Sequence, residues 1–264
     1  MTTSLAELLA KAKECGPLTV SVAAAADKEV LLALKEAREL GIATPLLVGA
    51  EEEIRNLAAQ IDFDLTQIKI YDEADAVPCA RRAVQLVSSG KAQLLMKGLM
   101  STSNILRAVL DKEIGLRTGR VLSHVMVYEI AGYDRLFFLT DGGMNMFPDL
   151  GQKVEIVVNA VEVAQALAIS EPKVAALAAI EVVNPDMPAT LDAAALAQMA
   201  TRGQIKGCII DGPLALDNAI SIEAAAHKGI TSPVAGKADI LLVPTIEAGN
   251  LLGKAMTYFA NGQS

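Results

Sequence analysis

Lys97, Gly98, Ser101, Thr102, Ser103 and Arg107 are the residues whose types and spacing first suggest chemistry. The apolar run Leu94-Leu95-Met96 leads into Lys97-Gly98, and Ser101-Thr102-Ser103-Asn104 precedes a helical spacing of apolar residues at Ile105, Leu106, Val109 and Leu110. This pattern predicts a buried central strand, a glycine-containing turn, and a helix starting near Ser103 with Ser103 or Thr102 as its cap. Such a junction turns unpaired backbone N–H groups and the positive end of a helix dipole toward one point, and that point attracts a phosphoryl or carboxylate group. Lys97 and Arg107 add positive charge, with Arg117 and Arg120 close behind. The same residues also fit an ordinary capped helix with Arg107 in solvent, because neither a Walker loop nor a GxGxxG fingerprint is present.

Further candidates lie downstream. His124 follows Ser123 in an apolar stretch and is read either as a general base or substrate donor, or as a hydrogen-bonded structural histidine. Asp141 and Asn145 flank a loop with adjacent glycines, which either carries function or is a turn that bonds its own amides. Asp211, in Asp211-Gly212-Pro213, follows a buried strand and is expected at an inter-domain face. With Asp141 and Glu247, it forms a set of carboxylates near strand ends that orient substrate or accept helix amides. Asp27 reads as a helix N-cap at the same kind of edge, and His227 as surface.

The elements that must position these residues alternate. Strands are expected at Leu18–Ala23, Pro45–Gly49 and Ile68–Tyr71, with helices at Ser4–Glu14, from Asp27 to Gly41, at Glu51–Gln60 and at Asp75–Gly90. That βα alternation favours a parallel sheet covered on both faces, with ligands at the carboxyl ends of the strands. After Gly119 the pattern changes: Val121–Tyr128 and Arg135–Thr140 flank a turn too short for a crossover helix, so they should pair antiparallel. Helices are then expected at Leu150–Ala168, at Leu191–Arg202, around His227 and from Glu247 to Ala260. Strands are expected at Lys173–Leu177, Ile205–Ile210 and Ala238–Pro244, with a polar loop from Glu181 to Pro188. The chain therefore reads as two α/β domains, 1–122 and 123–264.

Composition narrows the function classes. A net charge of −8 with 3% aromatic residues argues against nucleic-acid binding. No apolar run reaches membrane-span length and the first residues lack a secretory pattern, so a cytoplasmic protein with no membrane partner is expected. Three scattered cysteines, two histidines outside any HExxH spacing and no GxSxG elbow leave no sign of a metal site or a hydrolase triad. The first strand exits into Ala23-Ala24-Ala25-Ala26 rather than a glycine fingerprint, which disfavours a Rossmann dehydrogenase.

Five segments together resemble the phosphate acetyltransferase and butyryltransferase family: Lys97–Ser103, Leu106–Leu110, Leu122–His124, Asp211–Ala219 and Ile246–Asn250. The resemblance extends from about residue 18 to 260. It implies two α/β domains with a cleft between them, as in the isocitrate and isopropylmalate dehydrogenases. It also implies reversible exchange of a short acyl group, butyryl or branched rather than acetyl, between coenzyme A and phosphate. Coenzyme A is then a substrate, no cofactor is tightly held, and the partners are acyl-CoA, phosphate and acyl phosphate in a homodimer or larger homo-oligomer. Arg107 lies where the family carries an arginine thought to act at the phosphate end, and Ser123 and His124 are the other catalytic candidates. Lys97, Gly98, Ser101, Thr102, Ser103, Asp141, Asn145, Asp211, Gly212, Pro213, Glu247 and Asn250 are the candidate substrate-binding residues, with no metal ligand. In the family a further strand, a Ser-Arg loop and a returning helix follow the helix that here ends near Phe259. Without them the first sheet is expected to be one strand short. The other readings left open are an acyl-CoA or phosphate-binding remnant without catalysis, and an oxidoreductase on the same fold.

Overall fold

A computed structural model describes residues 2–264. The chain divides into two compact units, Leu9–Gly119 on one side and residues 2–8 with Arg120–Ser264 on the other. In chain order the first elements are α1 (Leu5–Glu14), β1 (Leu18–Ala23), α2 (Lys28–Glu39), β2 (Ala43–Gly49), α3 (Glu51–Gln60), β3 (Lys69–Asp72), α4 (Ala76–Ser88), β4 (Leu94–Lys97) and α5 (Thr102–Val109). Then follow β5 (Met126–Tyr128), β6 (Phe137–Thr140), α6 (Leu150–Ala166), β7 (Lys173–Leu177), α7 (Pro188–Thr201), β8 (Ile209–Leu214), α8 (Leu216–Ile220), α9 (Ile222–His227), β9 (Ile240–Leu242) and α10 (Ile246–Tyr258).

The unit spanning Leu9–Gly119 holds a parallel sheet in the order β3-β2-β1-β4. Alternate side chains of β1 serve opposite faces, as the twofold strand period requires. Val20 and Val22 pack with Leu31, Leu34 and Ile54, whereas Ala23 joins Cys79, Val84 and Ile105. Apolar contact on both faces keeps β1 and β2 in place. Asp27 is indeed an N-cap, its carboxylate accepting the Val30 amide at 2.9 Å.

β4 departs from expectation. It pairs with β1 alone and forms the sheet edge, so Leu94 is exposed rather than central. An apolar run reports burial on both faces, but it carries no information about which neighbours are supplied.

The larger unit has a five-stranded sheet, β5-β6-β9-β7-β8, in which only β5 runs antiparallel. The expected antiparallel pair is therefore present, although β5 begins at Met126, not Val121. Residues before it are held by side chains of α6 instead: Glu155 accepts the Val121 amide at 2.6 Å, and Asn159 donates to the Val121 carbonyl at 2.9 Å. One face packs Phe138, Val174 and Ile240 against Ile156, Ala160 and Leu196. The other packs Phe137, Leu139 and Leu241 against Val234 and Met256.

Two boundaries shift for local reasons. Gly207 at φ +79° turns the chain before β8, which starts at Ile209 and runs on through Asp211-Gly212-Pro213 to Leu214. An edge strand tolerates that proline, since no neighbour needs its missing N–H. Helix α7 starts at Pro188, where the ring's fixed φ suits the first turn.

Asp111 fastens the segment that follows α5. It accepts amides of Ile114 and Glu113, and an Arg81 N–H at 2.8 Å. Those amides, then Arg81, lower its pKa from 3.8 to about 2. A depressed carboxyl favours folding when ionised, so its contribution is complete above about pH 4 and vanishes as pH falls through about 2. We expect Asp111→Asn to flatten the fall in thermal midpoint between those pH values, as measured by circular dichroism.

Candidate active site

At the carboxyl edge of the four-stranded sheet, residues following all four strands surround a cavity of about 280 Å³. Small residues, Ala24, Ala26, Gly49, Ala50, Ala74 and Ala76, make much of its wall, with the carboxylates of Glu53 and Glu73 among them and Leu99, Ser101 and Asn104 on one side. Gly98 is obligatory at the exit of β4, because a Cβ there would lie 2.1 Å from the Ala24 carbonyl oxygen. That crowding has a consequence for anion binding. The Gly98 and Leu99 amides donate to the carbonyls of Ala23 and Ala24 at 2.7 and 3.2 Å, and the Met100 amide donates back to Gly98. These amides, expected to face an anion, are occupied by the chain itself.

The free donors begin later. Ser101, not Ser103 or Thr102, caps α5, accepting the Asn104 amide at 3.3 Å, and its hydroxyl lies 3.0 Å from that of Ser103. The amides of Thr102 and Ser103, at the first two helical positions, have no acceptor among the described residues. Lys97 bends over the turn, its ammonium donating to the Gly98 and Met100 carbonyls at 3.1 Å each. Arg107 lies in the last turn of the short helix, exposed, four residues beyond Ser103 and hence on the same face. Among the described residues no carboxylate pairs with it.

In the larger unit the organising loop follows β6. Asp141 is buried, and its carboxylate accepts the amides of Gly143, Met144 and Asn145 at 2.8, 2.9 and 3.2 Å. The Asn145 side-chain amide donates to Asp141 at 2.6 Å and to the Leu122 carbonyl at 2.9 Å. Both side chains are thus committed to the loop, the local-bonding alternative of the sequence reading. Ser123 is fixed by Asn159, which donates to its hydroxyl at 2.8 Å while accepting from Arg120 at 2.6 Å. Arg120 in turn pairs with Glu162 at 2.9 Å.

His124 lies under Gly143, where a Cβ would come within 3.1 Å of the ring. Its carbonyl accepts the Thr140 hydroxyl at 2.8 Å, and its Nδ1 is buried without a partner among the described residues. The ring lines a second cavity, of about 260 Å³, with Met126, Tyr128, Leu139, Gly142, Asn250, Gly253 and Lys254 among its walls. This cavity exists because α10 presents glycine to the sheet. A Cβ on Gly249 would lie 2.6 Å from the Gly142 Cα, and one on Gly253 would lie 2.9 Å from the Tyr128 hydroxyl.

His124 and Asn250 are therefore brought to one cavity. Glu247 sits exposed in the first turn of α10, where its charge suits the helix dipole. Asp211, Gly212 and Pro213 are elsewhere: β9 and β7 lie between β8 and β6, roughly 14 Å at ordinary strand spacing. The Asp211 carboxylate accepts the Gly212 amide at 2.8 Å, and Gly212 leaves no room for a side chain beside Ala176. Sequence reasoning missed Tyr128, Gly253 and Lys254. The only signal was Gly249 and Gly253 at helical spacing, which reads as helix weakness until the partner face is known.

Two of the thiols are poorly suited to nucleophilic attack. Burial raises the pKa of Cys79 and pushes that of Cys208 up to about 11. Among the described residues no three His, Cys, Asp or Glu side chains form a group that could hold a metal ion, and no helix is long and apolar enough to cross a membrane.

Mostly parallel sheets with a cavity at the strand ends of one and beneath α10 on the other are a frame for binding small ligands. Residues 77–264 match the family described as phosphate acetyl/butaryl transferase, and the chain belongs to that family. It is 50% identical to a phosphate butyryltransferase of Clostridium acetobutylicum over all 264 residues, covering 88% of that protein. Identity to a phosphate butyryltransferase of Clostridium beijerinckii is 52%, again over the whole chain and 87% of the relative. A crystal structure of a branched-chain phosphotransacylase from Enterococcus faecalis superposes with a TM-score of 0.82 at 36% identity, covering 93% of this chain and 86% of that one.

Replacing Asp141 would leave three loop amides and the Asn145 side chain without their acceptor. We expect Asp141→Ala to cost about 3 kcal/mol of unfolding free energy, read from urea denaturation.

Proposed function

We propose that this protein is a phosphate acyltransferase that exchanges a short acyl group between coenzyme A and inorganic phosphate, yielding acyl phosphate and free coenzyme A. The observation that carries this reading is 50% identity along the entire chain to a protein named phosphate butyryltransferase. Butyryl or a branched short acyl group is the proposed cargo. Coenzyme A is a substrate rather than a tightly held cofactor, and the enzyme works as a cytoplasmic homo-oligomer. The likeness to the isocitrate and isopropylmalate dehydrogenase fold belongs to the same proposal.

In the forward direction a phosphate oxygen attacks the thioester carbonyl. Negative charge gathers on the carbonyl oxygen, the carbon–sulfur bond breaks, and the coenzyme A thiolate leaves. Two needs follow: positive charge and donors for phosphate, and donors for the carbonyl oxygen. Arg107 and the open amides of Thr102 and Ser103 are assigned to phosphate, with the Ser101 and Ser103 hydroxyls beside them. Lys97 and Gly98 shape the turn that presents them.

Ser123 and His124 are assigned to the acyl group. The Ser123 hydroxyl accepts from Asn159, so its own proton remains available for donation. Because His124 Nδ1 has no acceptor in reach, the imidazole tautomer with its proton on Nε2 leaves no buried N–H unpaired. That tautomer makes His124 a donor to substrate. Asp141 and Asn145 act through the loop, and Glu247 and Asn250 complete the proposed substrate contacts.

The test supplies purified protein with butyryl-CoA and inorganic phosphate and follows thiol release, with Arg107→Ala alongside. Phosphate-dependent release that drops roughly 10²–10³-fold in the variant is the expected result, the range typical of a lost charge-stabilising donor. Release that ignores phosphate, or is unchanged in the variant, would sink the assignment.

A further inference from the structure

The cavity beneath α10 is built with unequal walls. Met126, Leu139, Gly249 and Gly253 make an apolar floor, while His124, Tyr128 and Asn250 bring polar atoms to it and Lys254 stands exposed at its rim. Tyr128 is only 3% exposed, yet its hydroxyl has no hydrogen-bond partner among the described residues. That hydroxyl opens onto the cavity opposite the bare backbone of Gly253, so it is free to donate to a guest. His124 reaches the same space with its Nδ1 turned away under Gly143. A guest that satisfies these walls has a short apolar chain for the floor and one carbonyl oxygen for the donors.

We propose that this cavity seats the acyl group of the substrate, with the Tyr128 hydroxyl donating to the acyl carbonyl oxygen and Gly253 and Met126 setting the chain length admitted. The inference rests on the acyltransferase reading above and assigns a specificity pocket within it. As phosphate adds to the carbonyl carbon, the carbon–oxygen π pair moves onto the oxygen and shortens the hydrogen bonds from Tyr128 and the His124 Nε2–H. When the carbon–sulfur bond breaks, that pair returns and the thiolate carries away the charge. Both donors keep their protons throughout.

Gly253 decides depth. An added Cβ enters the gap between the Tyr128 hydroxyl, at 2.9 Å, and the Leu139 methyl, at 3.3 Å, so alanine shortens the floor. Met126 is half-buried and its truncation deepens the same space. The two changes therefore act in opposite directions on chain length, which general damage to the fold does not do.

The experiment compares kcat/KM for acetyl-, butyryl- and hexanoyl-CoA in the parent protein, Gly253→Ala, Met126→Ala and Tyr128→Phe, with circular dichroism to confirm folding. Gly253→Ala is expected to move the butyryl-to-acetyl ratio at least tenfold toward acetyl, and Met126→Ala to raise the hexanoyl-to-butyryl ratio about tenfold. Tyr128→Phe is expected to lower kcat about tenfold with little change in the KM for butyryl-CoA, because its hydrogen bond strengthens in the transition state. Chain-length ratios unchanged in folded Gly253→Ala and Met126→Ala would overturn the pocket while leaving the acyltransferase reading intact. If the parent protein transfers no acyl group to phosphate, the acyltransferase reading fails. Binding of butyryl-CoA, measured by calorimetry, then judges the pocket separately: affinity unaffected by Gly253→Ala overturns it as well.

Discussion

The contact on which the larger unit depends is the approach of α10 to the loop after β6. Gly249 and Gly142 meet so closely that a methyl on Gly249 would collide with the Gly142 backbone and one on Gly142 would press to 3.0 Å of Gly249. Two further constraints keep the surfaces in register. The Asp141 carboxylate gathers three consecutive amides of the loop, and the Ile246 amide at the start of α10 donates to the Met146 carbonyl at 3.1 Å. Glycine in a helix interior costs about 1 kcal/mol relative to alanine, and α10 contains two on one face. That cost is offset by the position they permit, with the helix lying low over β5 and β6 and a cavity left beneath its second glycine.

The smaller unit solves a similar problem differently. Gly98 sits so tightly against Ala24 that the chain leaving β4 satisfies its own amides there, and the positive end of α5 becomes available only two residues later. The turn and the helix N-terminus are therefore separate devices. Lys97, which bonds the turn's carbonyls, belongs to the first, and Arg107, exposed on α5 with no carboxylate partner among the described residues, to the second. This separation assigns charge to the helix and geometry to the strand exit. A helix of only two turns exposes its free amides and its arginine on a single short face.

Fold class was legible because periodicity is a local property. β1, β2, β7, their flanking helices and the antiparallel β5–β6 pair all follow from apolar spacing and loop length. Sheet order is not local. Nothing within Leu94-Leu95-Met96 distinguishes a strand with two neighbours from one with a single neighbour, so β4 read as central and stands at the edge. The site divides along the same line. Lys97, Gly98 and the Ser101–Ser103 cluster announce a turn and a cap by residue type alone. Asp211-Gly212-Pro213, equally conspicuous, owes its composition to strand packing, with glycine wedged against Ala176 and proline tolerated at the sheet edge.

Tyr128 shows why the remaining site residues were hidden. Within its strand it is one more aromatic among apolar neighbours, with a ring that packs into the core beside Phe137 and Leu139. What singles it out is an absence on distant α10: Gly253 withholds the side chain that would otherwise fill the space before its hydroxyl. A hydroxyl on an otherwise buried ring that meets open volume is a donor a guest can use. In this unit His124 Nδ1 and Asn218 Oδ1 are buried without a partner among the described residues, whereas the Tyr128 oxygen faces open volume. The distinction is between a tautomer held by the fold and a donor held for a guest. Only the second requires that α10 give up side chains to make room, and α10 does so at the position facing that oxygen.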